Sequence, residues 1–112
     1  MAVTKSQTTG HGVNNIAVGR YIDTGTVSET AARIYTGFKP RYVRVDNLGG
    51  SGLVIVEFFE GMTAAHAIKT SIAGARSEIA SLGITVYDDG FLIGGDTDVL
   101  VSSEQLTWLA IG

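Results

Sequence analysis

The pattern that most constrains this chain is a succession of short apolar runs, each four to seven residues long, broken by glycine- or aspartate-containing turns about every ten residues. A chain stopped that often has no room for long helices, and the periodicity inside the runs is that of strands. Ala32, Ile34, Thr36 and Phe38 alternate with Arg33, Tyr35 and Gly37. Tyr42-Val43-Arg44-Val45-Asp46 and Leu53 to Phe59 flank the turn Leu48-Gly49-Gly50-Ser51-Gly52, which reads as a hairpin because glycine tolerates the positive φ of tight turns. Ile84-Thr85-Val86-Tyr87, the turn Asp88-Asp89-Gly90 and Phe91-Leu92-Ile93 form a second hairpin, followed by strands over Asp98 to Val101 and Gln105 to Ile111. On the N-terminal side, Ile16, Val18 and Ile22 share one face of a further strand. Seven or eight such strands predict an all-β domain, a β-sandwich or jelly roll.

Two segments depart from this pattern. Residues 1–14 have almost no apolar periodicity and read as a flexible N-terminal arm, leaving 15–112 as a single β-sandwich domain. Residues 61–83 leave two readings open. The alanines of Met62 to Lys69 and of Ser71 to Ser81 suit one short helix, while Ala65, Ala67 and Lys69 also suit one face of a strand.

Size and composition fix what holds such a domain together. Surface scaling for 11.7 kDa predicts that about two-thirds of the unfolded chain's surface is buried, enough for one core. With no cysteine, disulfides, thiolate catalysis and cysteine-based zinc sites are excluded. Hydrophobic residues make up 45%, charged residues only 17%, and mean hydropathy is +0.25, apolar for so small a domain. Leu53-Val54-Ile55-Val56 and Leu106 to Ile111 are apolar on both faces, yet a single sandwich has one interior. Val54, Val56, Leu106 and Trp108 are therefore placed in the core or in an oligomer interface, and the excess apolar surface predicts a homo-oligomer, a dimer in preference to a trimer. Met1 to Asn15 lacks the apolar stretch of a signal peptide and no run is long enough for a membrane-spanning helix, so no membrane partner is expected.

The charge is unevenly spread. Residues 1–56 sum to +3 and residues 57–112 to −6, for a net −3 and a pI near 5.2. The imbalance serves self-association or docking if it survives folding, and vanishes if the fold interleaves the halves. Lys39, Arg41 and Arg44 interleave with Tyr42, but alternation on a strand splits them between two faces, which argues against nucleic acid. They are better candidates for contact with a protein partner, as is Lys5 in the arm.

Catalytic signatures are missing from the sequence. His11 and His66 lie in no metal-ligand spacing, and neither a nucleophile elbow nor a phosphate-binding glycine loop is present. Glu57 and Glu60 fall on opposite strand faces, which defeats a paired-carboxylate mechanism. Asp88, Asp89, Asp96 and Asp98 are the one candidate set of hard oxygen ligands for calcium, although Asp-Gly and Gly-Asp pairs are ordinary turn chemistry. The reading is of a non-enzymatic protein without a cofactor.

The segment Gly37-Phe38-Lys39-Pro40-Arg41-Tyr42-Val43-Arg44-Val45, with the ending Gly90-Phe91-Leu92-Ile93-Gly94, Asp98-Val99-Leu100-Val101 and Thr107-Trp108-Leu109-Ala110-Ile111, resembles small structural proteins of tailed bacteriophages. Within that group the chain is most similar to the capsid decoration proteins that cement or staple podovirus-like heads. The resemblance covers about half of the chain and implies a β-sandwich or jelly-roll unit, homo-oligomeric on the capsid surface of the virion. Its implied partner is the major capsid protein, its implied role to stabilise contacts between capsomers, and its site of synthesis the host cytoplasm. A phage tail or baseplate subunit, or an adhesin-like carbohydrate-binding sandwich, is the alternative. A lectin would show an exposed aromatic residue beside the acidic turn.

Overall fold

A computed structural model of the chain describes residues 15–22, 31–49, 53–101 and 104–112. These residues form nine antiparallel strands and no helix: β1 (Ile16–Ile22), β2 (Ala31–Tyr35), β3 (Tyr42–Asn47), β4 (Val54–Phe59), β5 (Ala67–Thr70), β6 (Arg76–Ile79), β7 (Ile84–Tyr87), β8 (Gly90–Gly94) and β9 (Gln105–Ile111). They build a six-stranded sheet of order β1-β9-β3-β4-β5-β6 and a three-stranded sheet of order β2-β8-β7. The all-β expectation holds, in two antiparallel sheets.

Strand alternation decides what lies between the sheets. Val43 and Val45 of β3, Val54, Val56 and Phe58 of β4, and Leu106 and Ala110 of β9 are buried on the inner side of the large sheet. Opposite them lie Ala32, Phe91, Ile93 and Ile84 from the small sheet. The Phe91 ring stands edge-on to Trp108 at 5.4 Å between centroids, a favoured aromatic geometry that ties β8 to β9.

Two sequence expectations need correction. Residues 61–83 contain no helix: a turn brings His66 N to Thr63 O at 3.1 Å, with Ala65 at a φ of 66°, and β5 and β6 follow as a hairpin. Ala67 and Lys69 face inward and Ile68 and Thr70 outward, so burial along a strand overrides the helix propensity of alanine. Gly74, at a φ of 87°, closes that hairpin. The second correction concerns Asp98 to Val101, which is turn rather than strand. Val99 N and Leu100 N both donate to Asp96 O, at 3.1 and 2.9 Å, and the two consecutive side chains are both buried. A strand would have sent one of them outward. In the β3–β4 connection, Gly50 to Gly52 lie outside the described residues, as do the arm and its Lys5 and His11.

The two halves of the chain meet in both sheets: β9, from the second half, sits between β1 and β3 of the first, and β2 of the first half pairs with β8 of the second.

Candidate functional site

The acidic residues fall into two places and make no joint site. Lys69 reaches from the inner side of β5 to the 96–98 turn, where its Nζ lies 2.9 and 3.1 Å from the two Asp96 carboxylate oxygens and 2.8 Å from Asp98 Oδ2. Asp96 Oδ1 also accepts the Asp98 backbone N–H at 2.8 Å. Burial by itself would lower the Lys69 pKa, but the hydrogen bonds to Asp98 and Asp96 outweigh it and hold the ammonium above its ordinary value. The position a calcium ion would take between these carboxylates is thus filled by the protein's own cation. Asp89, on the β7–β8 turn, is ion-paired with Arg33. Among the described residues no three His, Asp or Glu side chains converge on a common point.

The basic residues also separate. Arg44 projects from the outer face of the large sheet and donates through Nε to Asp46 Oδ1 at 2.8 Å. Beside it the Tyr42 hydroxyl donates to Glu57 Oε2 at 2.7 Å, and Arg76 donates to Glu57 Oε1 at 3.2 Å. Burial, followed by the bond to the Glu57 carboxylate, pushes the Tyr42 phenol up to about 12. Lys39 and Arg41 lie instead at one end of the molecule, on the rim of a cleft of about 660 Å³ floored by Phe38, Pro40, Phe58, Met62 and Val86. Glu60 on the same rim is 3.4 Å from Arg41 Nε. Lys39 is exposed, and of these cations it alone has no ion pair among the described residues.

Val54, Val56 and Leu106 are core residues in the single chain, whereas Trp108 is only partly buried. Its indole lies over Gly19, where an added Cβ would stand 2.5 Å from the ring, so glycine at that point of β1 lets the tryptophan reach the edge of the sheet. No described residue covers the opposite, outer face of the large sheet. Following the register, one row runs Ile16, Ile111, Tyr42, Phe59, and the next runs Val18, Leu109, Arg44, Glu57, Ile68, Glu78. Apolar side chains gather at the β1 end, where Ile16, Val18 and Ile22 are 61, 71 and 51% exposed, and charged pairs lie in the middle. Val18, Arg20, Arg44, Asp46, Thr107 and Leu109 border a shallow groove of about 610 Å³ on this face. The one-face grouping of Ile16, Val18 and Ile22 holds, and the face points outward.

Comparison with family models, with curated proteins and with solved structures finds no match to this chain.

One further cluster is not foreshadowed by any motif in the sequence. On the outer face of the small sheet the Arg33 guanidinium lies between the rings of Tyr35 and Tyr87, 4.5 and 4.3 Å from their centroids, and donates to Ile34 O at 2.9 Å and Phe91 O at 3.2 Å. Stacking between two rings adds cation–π attraction to the Asp89 ion pair. Gly90 makes the arrangement feasible, since a side chain there would collide with Ile34 O and the guanidinium. The only local signal is the outward phase of Arg33 and Tyr35 on an alternating strand, and nothing near them says that Tyr87 and Gly90 lie alongside.

Proposed function

We propose that this chain is a non-enzymatic virion structural protein, a bacteriophage capsid decoration protein that binds the outer surface of the head as a homo-oligomer and stabilises contacts between capsomers. The observation that carries the proposal is the outer face of the six-stranded sheet, which no described residue covers, with an apolar row on β1. A small protein that leaves a broad, partly apolar sheet face to solvent has the form of a component that works by contact. The phage-like segments at 37–45 and 90–111 support the choice of partner, the major capsid protein. The jelly-roll reading of the fold is supported by its nesting, β1 with β9 in one sheet and β2 with β8 in the other.

Lys39 and Arg41 on the end cleft are the proposed capsid contacts, because Lys39 is exposed and unpaired among the described residues and the cleft floor is apolar. The test is cosedimentation with undecorated shells. Wild type should saturate the shells, and Lys39→Glu with Arg41→Glu should lower affinity at least tenfold without altering the thermal melt. Wild-type protein that stays in the supernatant at micromolar concentration defeats the proposal.

The alternative, a carbohydrate-binding sandwich, has one specific observation in its favour. Tyr35, 72% exposed, and Tyr87, 41% exposed, flank the acidic turn Asp88-Asp89. Loss of polysaccharide retention in Tyr35→Ala, with shell binding absent, would favour that reading.

A further inference from the structure

We infer that the chain pairs with a second copy of itself through the free edge of β1, the two β1 strands running antiparallel about a two-fold axis at Gly19, so that two six-stranded sheets become one continuous sheet. This deepens the homo-oligomer part of the proposed function and rests on it. β1 is the terminal strand of the large sheet, and among the described residues only β9 pairs with it. The ladder fixes which backbone groups point outward. Gly112 N donates to Asn15 O at 2.8 Å, which makes Asn15 and Gly112 a hydrogen-bonded pair. Leu48 N donates to Gln105 O at 2.9 Å, so the odd residues of β9 bond β3 and its even residues bond β1. By the alternation of an antiparallel ladder, Ala17, Gly19 and Tyr21 turn their N–H and C=O groups to β9. Ile16, Val18, Arg20 and Ile22 turn theirs away from the sheet, where a partner strand can bond them.

Two copies can use those groups only in registers that pair even residues with even residues. The register centred on Gly19 engages all seven residues of β1, with Ile16 opposite Ile22, Val18 opposite Arg20 and Gly19 opposite Gly19. Four hydrogen-bonded pairs exchanging two bonds each give about eight new backbone bonds. Moving the centre to Arg20 sets like charges face to face, and moving it to Val18 leaves Ile22 unpaired. The edge also lacks the devices that normally keep strands apart: β1 has no proline and no inward charge, and its one charged residue is Arg20. In the favoured register that side chain lies along Val18 of the other copy, and Ile16 and Ile22 cover each other. At the axis the two glycines allow close approach, and each Trp108 indole lies over its own Gly19 beside the junction. A foreign strand would need to match the same alternation, whereas a second β1 does so by symmetry.

The experiment uses the full chain without capsids. Sedimentation velocity and light scattering at high micromolar concentration should give twice the 11.7 kDa chain mass. Val18→Pro should give the chain mass, with a melt that matches wild type diluted to the monomer, because the N–H it removes faces away from β9 and proline is tolerated on that side of an edge strand. Leu109→Lys, one strand inward on the outer face, should leave the dimer intact. A monomeric wild type, a dimeric Val18→Pro or a dimer abolished by Leu109→Lys overturns the inference. If Val18→Pro does not fold, amide exchange in the wild type decides. The amides of Val18 and Arg20 should be protected at high concentration and lose protection on dilution, while that of Gly19 stays protected. Free exchange of Val18 and Arg20 at every concentration overturns the pairing. Shell binding is read separately: monomers that decorate shells refute the pairing alone, and dimers that ignore shells refute the capsid reading alone.

Discussion

Asn47 is a sharp place to test how the two-sheet structure is held, because its side chain is 1% exposed and every polar atom of it is in use. Its Nδ2 donates to Val99 O at 2.9 Å, Asp98 O at 3.2 Å and Glu104 Oε1 at 3.1 Å, and its Oδ1 accepts the Gly49 N–H at 2.7 Å. One amide thus fastens the end of β3 to the turn that carries Lys69's two carboxylate partners. Asn47→Leu keeps the branched shape and the number of heavy atoms and removes all four bonds. Glu104 can turn to water, but the buried Val99 carbonyl cannot, at about 1–3 kcal/mol for an unsatisfied group. The bonds of Asp98 O and Gly49 N are only partly buried and add about 0.5–1.5 kcal/mol each. The sum, about 2–6 kcal/mol, is a large share of the roughly 5–15 kcal/mol that holds a domain of this size. Asn47→Asp should cost more at neutral pH, since it sets a buried carboxylate against Glu104 and two carbonyls. Its pKa in the folded chain rises above the unfolded value, so the extra loss is complete above the folded pKa and relieved as pH falls through it. Urea denaturation followed by far-UV circular dichroism measures both. A change below about 0.5 kcal/mol in Asn47→Leu would refute the reasoning and leave the turn held by burial of Val99 and Leu100 alone.

Three more outcomes follow from the same geometry. Tyrosinate absorbance should include a late component near pH 12 that Tyr42→Phe removes; because the folded pKa is raised, the associated stability is complete below about pH 10 and lost towards pH 12. Lys69→Met should destabilise by about 2–3 kcal/mol at neutral pH by leaving the largely buried Asp96 carboxylate unpaired, and in wild type neither EDTA nor added calcium should shift Tm. Trp108→Ala should cost about 3 kcal/mol in chemical denaturation, the lower end for a large aromatic residue because the ring is only partly buried.

Legibility of the fold in the sequence tracked the locality of the forces. The hairpin through Asp88-Asp89-Gly90 and the two-faced apolar strand ending at Ile111 could be read because turn chemistry and side-chain phase sit within a few residues. Residues 61–83 could not, because even alanine's high helix propensity is a small local preference, overridden by β4, a partner that local sequence does not name. The 96–101 turn was obscured for a related reason: Val99 and Leu100 look like strand, and it is the backbone carbonyl of Asp96, with its carboxylate on the Asp98 N–H, that bends them. For the candidate surfaces, the outward phase of Arg33, Tyr35 and Arg44 was readable, but not which of them meet. Lys69 shows the gap most clearly, since its partners lie 27 and 29 positions away.

The placement of β9 between β1 and β3 has a consequence for how the molecule assembles in time. β1 has its sheet neighbour more than eighty residues downstream, so a growing chain carries Ile16, Val18 and Ile22 with no described strand to receive them until β2 to β8 have been made. The hairpins β3–β4, β5–β6 and β7–β8 close over short loops, whereas pairing β1 with β9 closes a loop of more than eighty residues at a larger entropic cost. By topology, β9 must bring β1 and β3 together, since neither has another described partner on that side. Until β9 is in place, β1 and the facing edge of β3 lack a described strand neighbour, and unpaired edges of that kind are where chains associate during folding.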